Sequence, residues 1–154
     1  MRLPLRISMV VLVLVLVGCA TTTGVIPPRE GAVSRVALRL VQPYRMDLAD
    51  DTLFSNQLLV DTVLGTLQDR RMVHPGGTRS VIIQVAEAGA GGDPADDFIR
   101  GGLVVVDEET GETGPVQPLE IRYDGPADIP GNQRLALMFQ ALGEEVAGRM
   151  GPAG

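Results

Sequence analysis

Val36, Leu38 and Leu40 alternate with Arg35, Ala37 and Arg39 in the stretch SRVALRLVQPY, residues 34–44. A period of two is that of a strand with one buried face, so the two arginines are expected in water and Pro43 is expected to end the element. The period then lengthens. From Asp51 to Met72, the residues Phe54, Leu58, Val63 and Leu67 fall near one side of a helix, with Leu59 and Thr66 on its border. Asp50, Asp51 or Ser55 can cap its start, Arg70 and Arg71 suit its negative end, and the HPGG at 74–77 stops it.

RSVIIQVAEA, residues 79–88, is rich in β-branched side chains and predicts a second strand, followed by the glycine-rich and acidic loop GAGGDPADD. GLVVVD, residues 102–107, predicts a third strand, and EETGE then makes a tight turn in which Gly111 supplies a positive φ. The chain returns from Val116 to Tyr123, where Leu119, Ile121 and Tyr123 alternate with Glu120 and Arg122. Pro115 and Pro118 cannot donate to a ladder, which assigns this strand to an edge. Finally, Leu135, Met138, Phe139, Leu142 and Val146 repeat at helical spacing between Asn132 and Met150, with Asn132 as the expected cap. The order strand, helix, three strands, helix predicts an α+β fold: a mainly antiparallel sheet of about four strands with two helices packed on one face.

Upstream of this domain the pattern is different. Arg2 and Arg6 are followed by the unbroken apolar run ISMVVLVLVLV, residues 7–17, then Gly18 and Cys19, the single cysteine. As a helix the run covers roughly 16 Å at ~1.5 Å per residue, short of the ~30 Å hydrocarbon core of a bilayer. It has the layout of an export signal.

LVGC, residues 16–19, resembles the lipobox of bacterial lipoproteins. The resemblance implies that the Cys19 thiol is alkylated by diacylglycerol, that the signal is cut between Gly18 and Cys19, and that the new amine is acylated. A thiolate is the nucleophile such a thioether needs. Two or three chains on one residue hold where a single chain binds marginally, at about 0.8 kcal/mol per buried methylene. Ala20, rather than Asp, follows the cysteine, which by the same resemblance favours the outer membrane over the inner one, with the domain in the periplasm. The expected organisation is a signal peptide at 1–18, lipidated Cys19 with a flexible tether to residue 32, one domain at 33–150 and a tail at 151–154. By the order of its elements and the hairpin VVVDEETGE, the domain resembles small envelope lipoproteins of uncharacterised families.

Charge narrows the partners. All thirteen basic residues are arginine and two precede Cys19, so the mature chain sets eleven against nineteen acids, a net charge of −8 with His74 neutral. An acidic chain without a basic stripe argues against nucleic acid and against electrostatic adhesion to anionic lipid. With Cys19 given to lipid, no disulfide is available, and the core must be built from aliphatic residues and three Phe.

Candidate chemistry is sparse. His74, the one histidine, sits in a Pro-Gly-Gly loop, and Ser34, Ser55 and Ser80 lie in no nucleophile-elbow motif. AGAGGDP lacks the G-x-G-x-x-G spacing and carries Asp93, Asp96 and Asp97, which would repel phosphate, so no nucleotide is expected. The three aspartates do not match a calcium loop and there is no N/S set for zinc, so no metal and no catalytic residue is assigned. Met138, Phe139 and Met150 read as core, with a partner-binding stripe as the other reading.

The expectation for function is a non-catalytic accessory or assembly subunit of an envelope complex, without a cofactor beyond the lipid on Cys19. It would be bound to membrane through that lipid and to an envelope protein, one candidate surface being the edge at Val116–Tyr123. The other expectation is an auxiliary transport lipoprotein that holds an apolar ligand or lipid in a cavity lined by Leu135, Phe139 and Val104–Val106. A third is a hydrolase working through carboxylates such as Asp93 and Asp96.

Overall fold

The computed structural model describes residues 29–151. Its elements are β1 (Arg29–Leu48), α1 (Asn56–Asp69), β2 (Gly77–Ala90), a single 3-10 turn at Pro94–Asp96, β3 (Phe98–Asp107), β4 (Gln117–Arg122) and α2 (Gly131–Met150). The four strands form one sheet in the order β1-β2-β3-β4. β2, β3 and β4 are an antiparallel meander, whereas β1 runs parallel to β2 and reaches it through α1. The fold is α+β with a mostly antiparallel sheet and two helices, as the periodicities predict.

One sheet face carries the core. Val81, Ile83 and Val85 of β2 lie opposite Val36, Leu38 and Leu40 of β1, and Ile99 and Leu103 of β3 extend the same surface to Leu119 and Ile121 of β4. Onto it pack Leu59, Val63 and Leu67 of α1 and Leu135, Met138, Phe139, Leu142 and Val146 of α2. Gly143 lets the two helices approach closely: a Cβ there would stand 2.6 Å from Thr66 Oγ1.

Several expectations need correction. β1 begins at Arg29 and Ala32 is fully buried, so residues 29–32 belong to the sheet rather than to a tether. The strand also runs past Pro43 to Leu48, because it is an edge strand whose register shifts between Leu40 and Arg45, and a proline costs no ladder bond at such a bulge. α1 starts at Asn56, capped by Ser55 Oγ, which accepts from Leu58 N–H at 3.2 Å. Its buried stripe is therefore Leu59, Val63 and Leu67, with Leu58 46% exposed. Phe54 lies before the cap and meets Phe139 edge to face at 5.4 Å.

α1 ends without glycine. Arg71 takes φ +57°, Arg71 N–H donates to Gln68 O at 2.8 Å, and Met72 N–H donates to Leu67 O at 2.9 Å, a Schellman closure in which Leu67 and Met72 are both buried. Asn132 does not cap α2. The cap position is Pro130, without a side-chain bond, while Asn132 Oδ1 accepts from Leu53 N–H at 3.0 Å and its Nδ2–H donates to Asp51 O at 2.8 Å. It ties the loop before α1 to the start of α2. In the β3–β4 hairpin, Gly111 has φ +72° as its turn requires.

Candidate functional site

The sheet face away from the helices carries a row of charge across all four strands. Arg45 is in register with Glu87, Glu87 with Arg100, and Arg100 with Glu120. Alternating sign makes every neighbour in the row an attraction. Arg45 Nε lies 3.6 Å and Arg100 Nη1 2.8 Å from Glu87, and Arg100 Nη2 (3.4 Å) and Arg122 Nη2 (2.8 Å) both reach Glu120 Oε1. The hydrogen bond from Arg100, helped by the one from Arg122, holds the Glu120 carboxyl below its ordinary range, and Glu120 in turn raises the Arg100 guanidinium. Arg100 also sits 5.2 Å over the Phe98 ring.

Arg45, Glu87 and Arg100 of this row, with Arg122, line a groove of about 600 Å³ at the end of the sheet where β1 and β2 finish, walled by the loop of Asp93, Asp96 and Asp97. The loop is held from beneath. Arg134 Nε donates to Asp97 Oδ2 at 2.6 Å, Nη1 to Ile129 O at 2.7 Å and Nη2 to Gly92 O at 2.9 Å, and its guanidinium lies 5.9 Å from the Tyr123 ring. One buried arginine thus joins the start of α2 to the loops after β2 and β4.

The same geometry engages two of the three aspartates within the fold. Asp97 is 2% exposed and faces Arg134, while Asp93 Oδ1 accepts from Ala95 N–H at 3.0 Å. Among the described residues no group of three or more His, Cys, Asp or Glu is placed to hold a metal ion. His74 Nδ1 accepts from Gly76 N–H at 3.1 Å and shapes its own turn. Ser55 caps α1, Ser34 Oγ donates to Arg79 O at 3.1 Å, and Ser80 Oγ links Arg35 to Glu108. Thr52 Oγ1 is the buried side-chain oxygen without a partner among the described residues, packed between Gly91 and Gly131.

Three expected surfaces are corrected here. Leu135 and Phe139 are packed into the core with 2% and 0% exposure, while Val104 faces the other side of the sheet, opposite Ile82, so these residues do not line one cavity. Met138 is buried with them, and Met150 packs against the same core, which leaves no methionine stripe for a partner. The β4 edge is closed as well: Pro118 has no N–H, and its carbonyl accepts from Arg149 Nη1 at 2.6 Å. Gly18 and Cys19, assigned to cleavage and lipidation, lie outside the described residues. Among the described residues no helix is long and apolar enough to cross a membrane.

Sequence reasoning missed the Arg134–Asp97 pair. Its signal was present: Arg134 stands four residues before Met138 and eight before Leu142, on the buried stripe of α2.

No protein-family model matches the chain, and no curated protein matches it in sequence. Its fold is similar to that of a PelC dodecamer from Paraburkholderia phytofirmans, with a TM-score of 0.50 and 12% identity over 84% of this chain and 95% of that one. An uncharacterised protein aligns at TM-score 0.45 and 13% identity, over 81% of this chain and 93% of the other. A minor lipoprotein from Acinetobacter baumannii aligns at 0.33 and 11%, over 73% and 88%.

Proposed function

We propose that the chain is a lipid-anchored, non-catalytic subunit of a bacterial envelope assembly, held by Cys19 and presenting its α+β domain to the periplasm, with the outer membrane as its site. The observation that carries this reading is the coupling of LVGC at 16–19 to a domain whose polar side chains are spent on architecture. The serines, His74, Asp97 and Arg134 each serve a cap, a turn or a clamp. What the domain leaves open, among the described residues, is surface: the charged row on the far side of the sheet and the outer edge of β1 from Arg35 onward. The fold it shares with a protein that assembles as a dodecamer supports an assembling role, and lipid on one cysteine supplies the membrane contact without a spanning helix.

The test has two arms. Palmitate labelling of the parent and of Cys19→Ala in cells reports the anchor, and equal incorporation would refute it. Affinity recovery of the tagged protein from gently solubilised envelope, with native mass spectrometry of the product, reports assembly. A defined complex, of copies or of different chains, is the expected result. A monomer recovered alone, also after crosslinking, would refute the subunit reading.

A further inference from the structure

We infer that β1 accepts a strand from a partner protein along Arg35–Leu40, and that the partner segment is extended and alternates apolar with acidic residues, its acids meeting Arg35 and Arg39. The inference rests on the subunit reading above and names the chemistry of the partner.

The sheet has two edges and they are built differently. At β4, a six-residue strand, proline at 118 removes a donor and Arg149 occupies the Pro118 carbonyl. Such an edge refuses a further strand. At β1, Val33 is engaged by the segment after α1, donating to Met72 O at 2.8 Å and accepting from His74 N–H at 2.9 Å. From Arg35 onward the strand has β2 on one side and, among the described residues, no strand on the other. The stretch from Arg35↔Ser80 to Leu40↔Val85 is in unbroken register, bounded by shifts on both sides. Six residues is an ordinary length for a strand pairing.

The side chains show what the missing neighbour must bring. Val36, Leu38 and Leu40 face the core yet remain partly exposed, whereas Val81, Ile83 and Val85 beside them are 1% exposed or less. Apolar residues on the same face of an added strand would complete that cover. On the other face stand Arg39, which makes no ion pair among the described residues, and Arg35, which pairs with Glu108 at 3.2 Å yet keeps 69% of its side chain exposed. Acidic residues opposite them are favoured and like charges are opposed.

The same charges favour another chain over a second copy, since between Gly31 and Met46 β1 carries no acid to offer Arg39. An antiparallel pairing of two β1 strands about Ala37 sets Arg35 against the partner copy's Arg39, and one about Leu38 sets Arg39 against Ala37, so no such register brings an acid. Head-to-tail addition would need the β4 edge, which is closed. The occupant these charges fit is another chain, recognised by main-chain hydrogen bonds and by alternate acids.

The experiment is hydrogen exchange on the full mature chain in detergent micelles, with a seven-residue probe of alternating Val and Glu, and the same probe with Lys for Glu. At about 1 mM, the acidic probe is expected to slow exchange within residues 35–40 by about tenfold and the basic probe to leave it unchanged. Arg39→Glu, at an exposed position, should reverse that preference while circular dichroism stays the same. Equal protection by both probes, protection centred on the groove instead of β1, or no protection at that concentration would overturn the inference. So would protection of 35–40 that grows with protein concentration alone, since the occupant would then be a second copy. Each of these results leaves the recovery of an envelope complex untouched, so the two readings fail separately.

Discussion

Arg134 and Asp97 meet at 2.6 Å with side chains 6% and 2% exposed, and every terminal nitrogen of the guanidinium that points at the protein finds an acceptor. Two charges taken so far from water hold only as a pair, and removing one leaves the other uncompensated. Arg134→Ala or Asp97→Ala should each cost about 3–5 kcal/mol, read by urea denaturation. The double variant Arg134→Met with Asp97→Leu should recover part of that loss. Single variants as stable as the parent would show that the pair carries no weight in the fold.

Arg71 sits at φ +57° in the closure of α1. A side chain in the left-handed region costs about 1 kcal/mol that glycine does not incur. Arg71→Gly is therefore expected to raise stability by about 0.5–1 kcal/mol, while Arg71→Val should lower it. The urea midpoints of both variants decide the matter.

Gly101 makes the closest approach in the sheet: a Cβ there would lie 1.8 Å from Gln84 O, next to the register shift between Val85 and Glu87. Backbone cannot yield as a flexible side chain can. Gly101→Ala should destabilise by about 3 kcal/mol or more, whereas Gly92→Ala, with nothing within 4 Å, should be nearly silent. Thermal unfolding of the two proteins side by side is the check.

Acid should weaken two fixed points of the sheet, Glu120 on its far face and Asp107 at the β3–β4 turn. Glu120 is held low by the hydrogen bond from Arg100, and Asp107 by the backbone N–H of Thr110. Both bind a proton more weakly folded than unfolded. Their contribution is full above the ordinary carboxylate range, near pH 4, and disappears as pH falls through the lower folded values. The urea midpoint should be level from about pH 5 to 7 and fall below about pH 4, with a shallower fall in Glu120→Gln.

The helices were legible because their apolar spacing answers to one flat sheet. Leu135, Met138, Phe139, Leu142 and Val146 are all buried, as their period requires. The rim of the fold was not, since there local signals compete with distant partners. Asn132 has the chemistry of a cap and spends it on Leu53 and Asp51, seventy-nine and eighty-one residues away. Pro43 reads as a stop, yet β1 needs no donor on its open side. Asp97 looks like one of three loop acids until α2 brings Arg134 beneath it. The charge row from Arg45 to Glu120 belongs to the same class, because four residues scattered over four strands acquire an order only through register.

The parallel pairing of β1 with β2 also sets the longest closure in the sheet. β2, β3 and β4 meet their neighbours through short connections, while Arg35 reaches Ser80 across forty-five positions, with a whole helix between them. Closing that span before its contacts can reward it is slow. β1 should therefore be the last of the four strands to gain protection when the denatured chain is diluted into buffer, as read by pulsed hydrogen exchange.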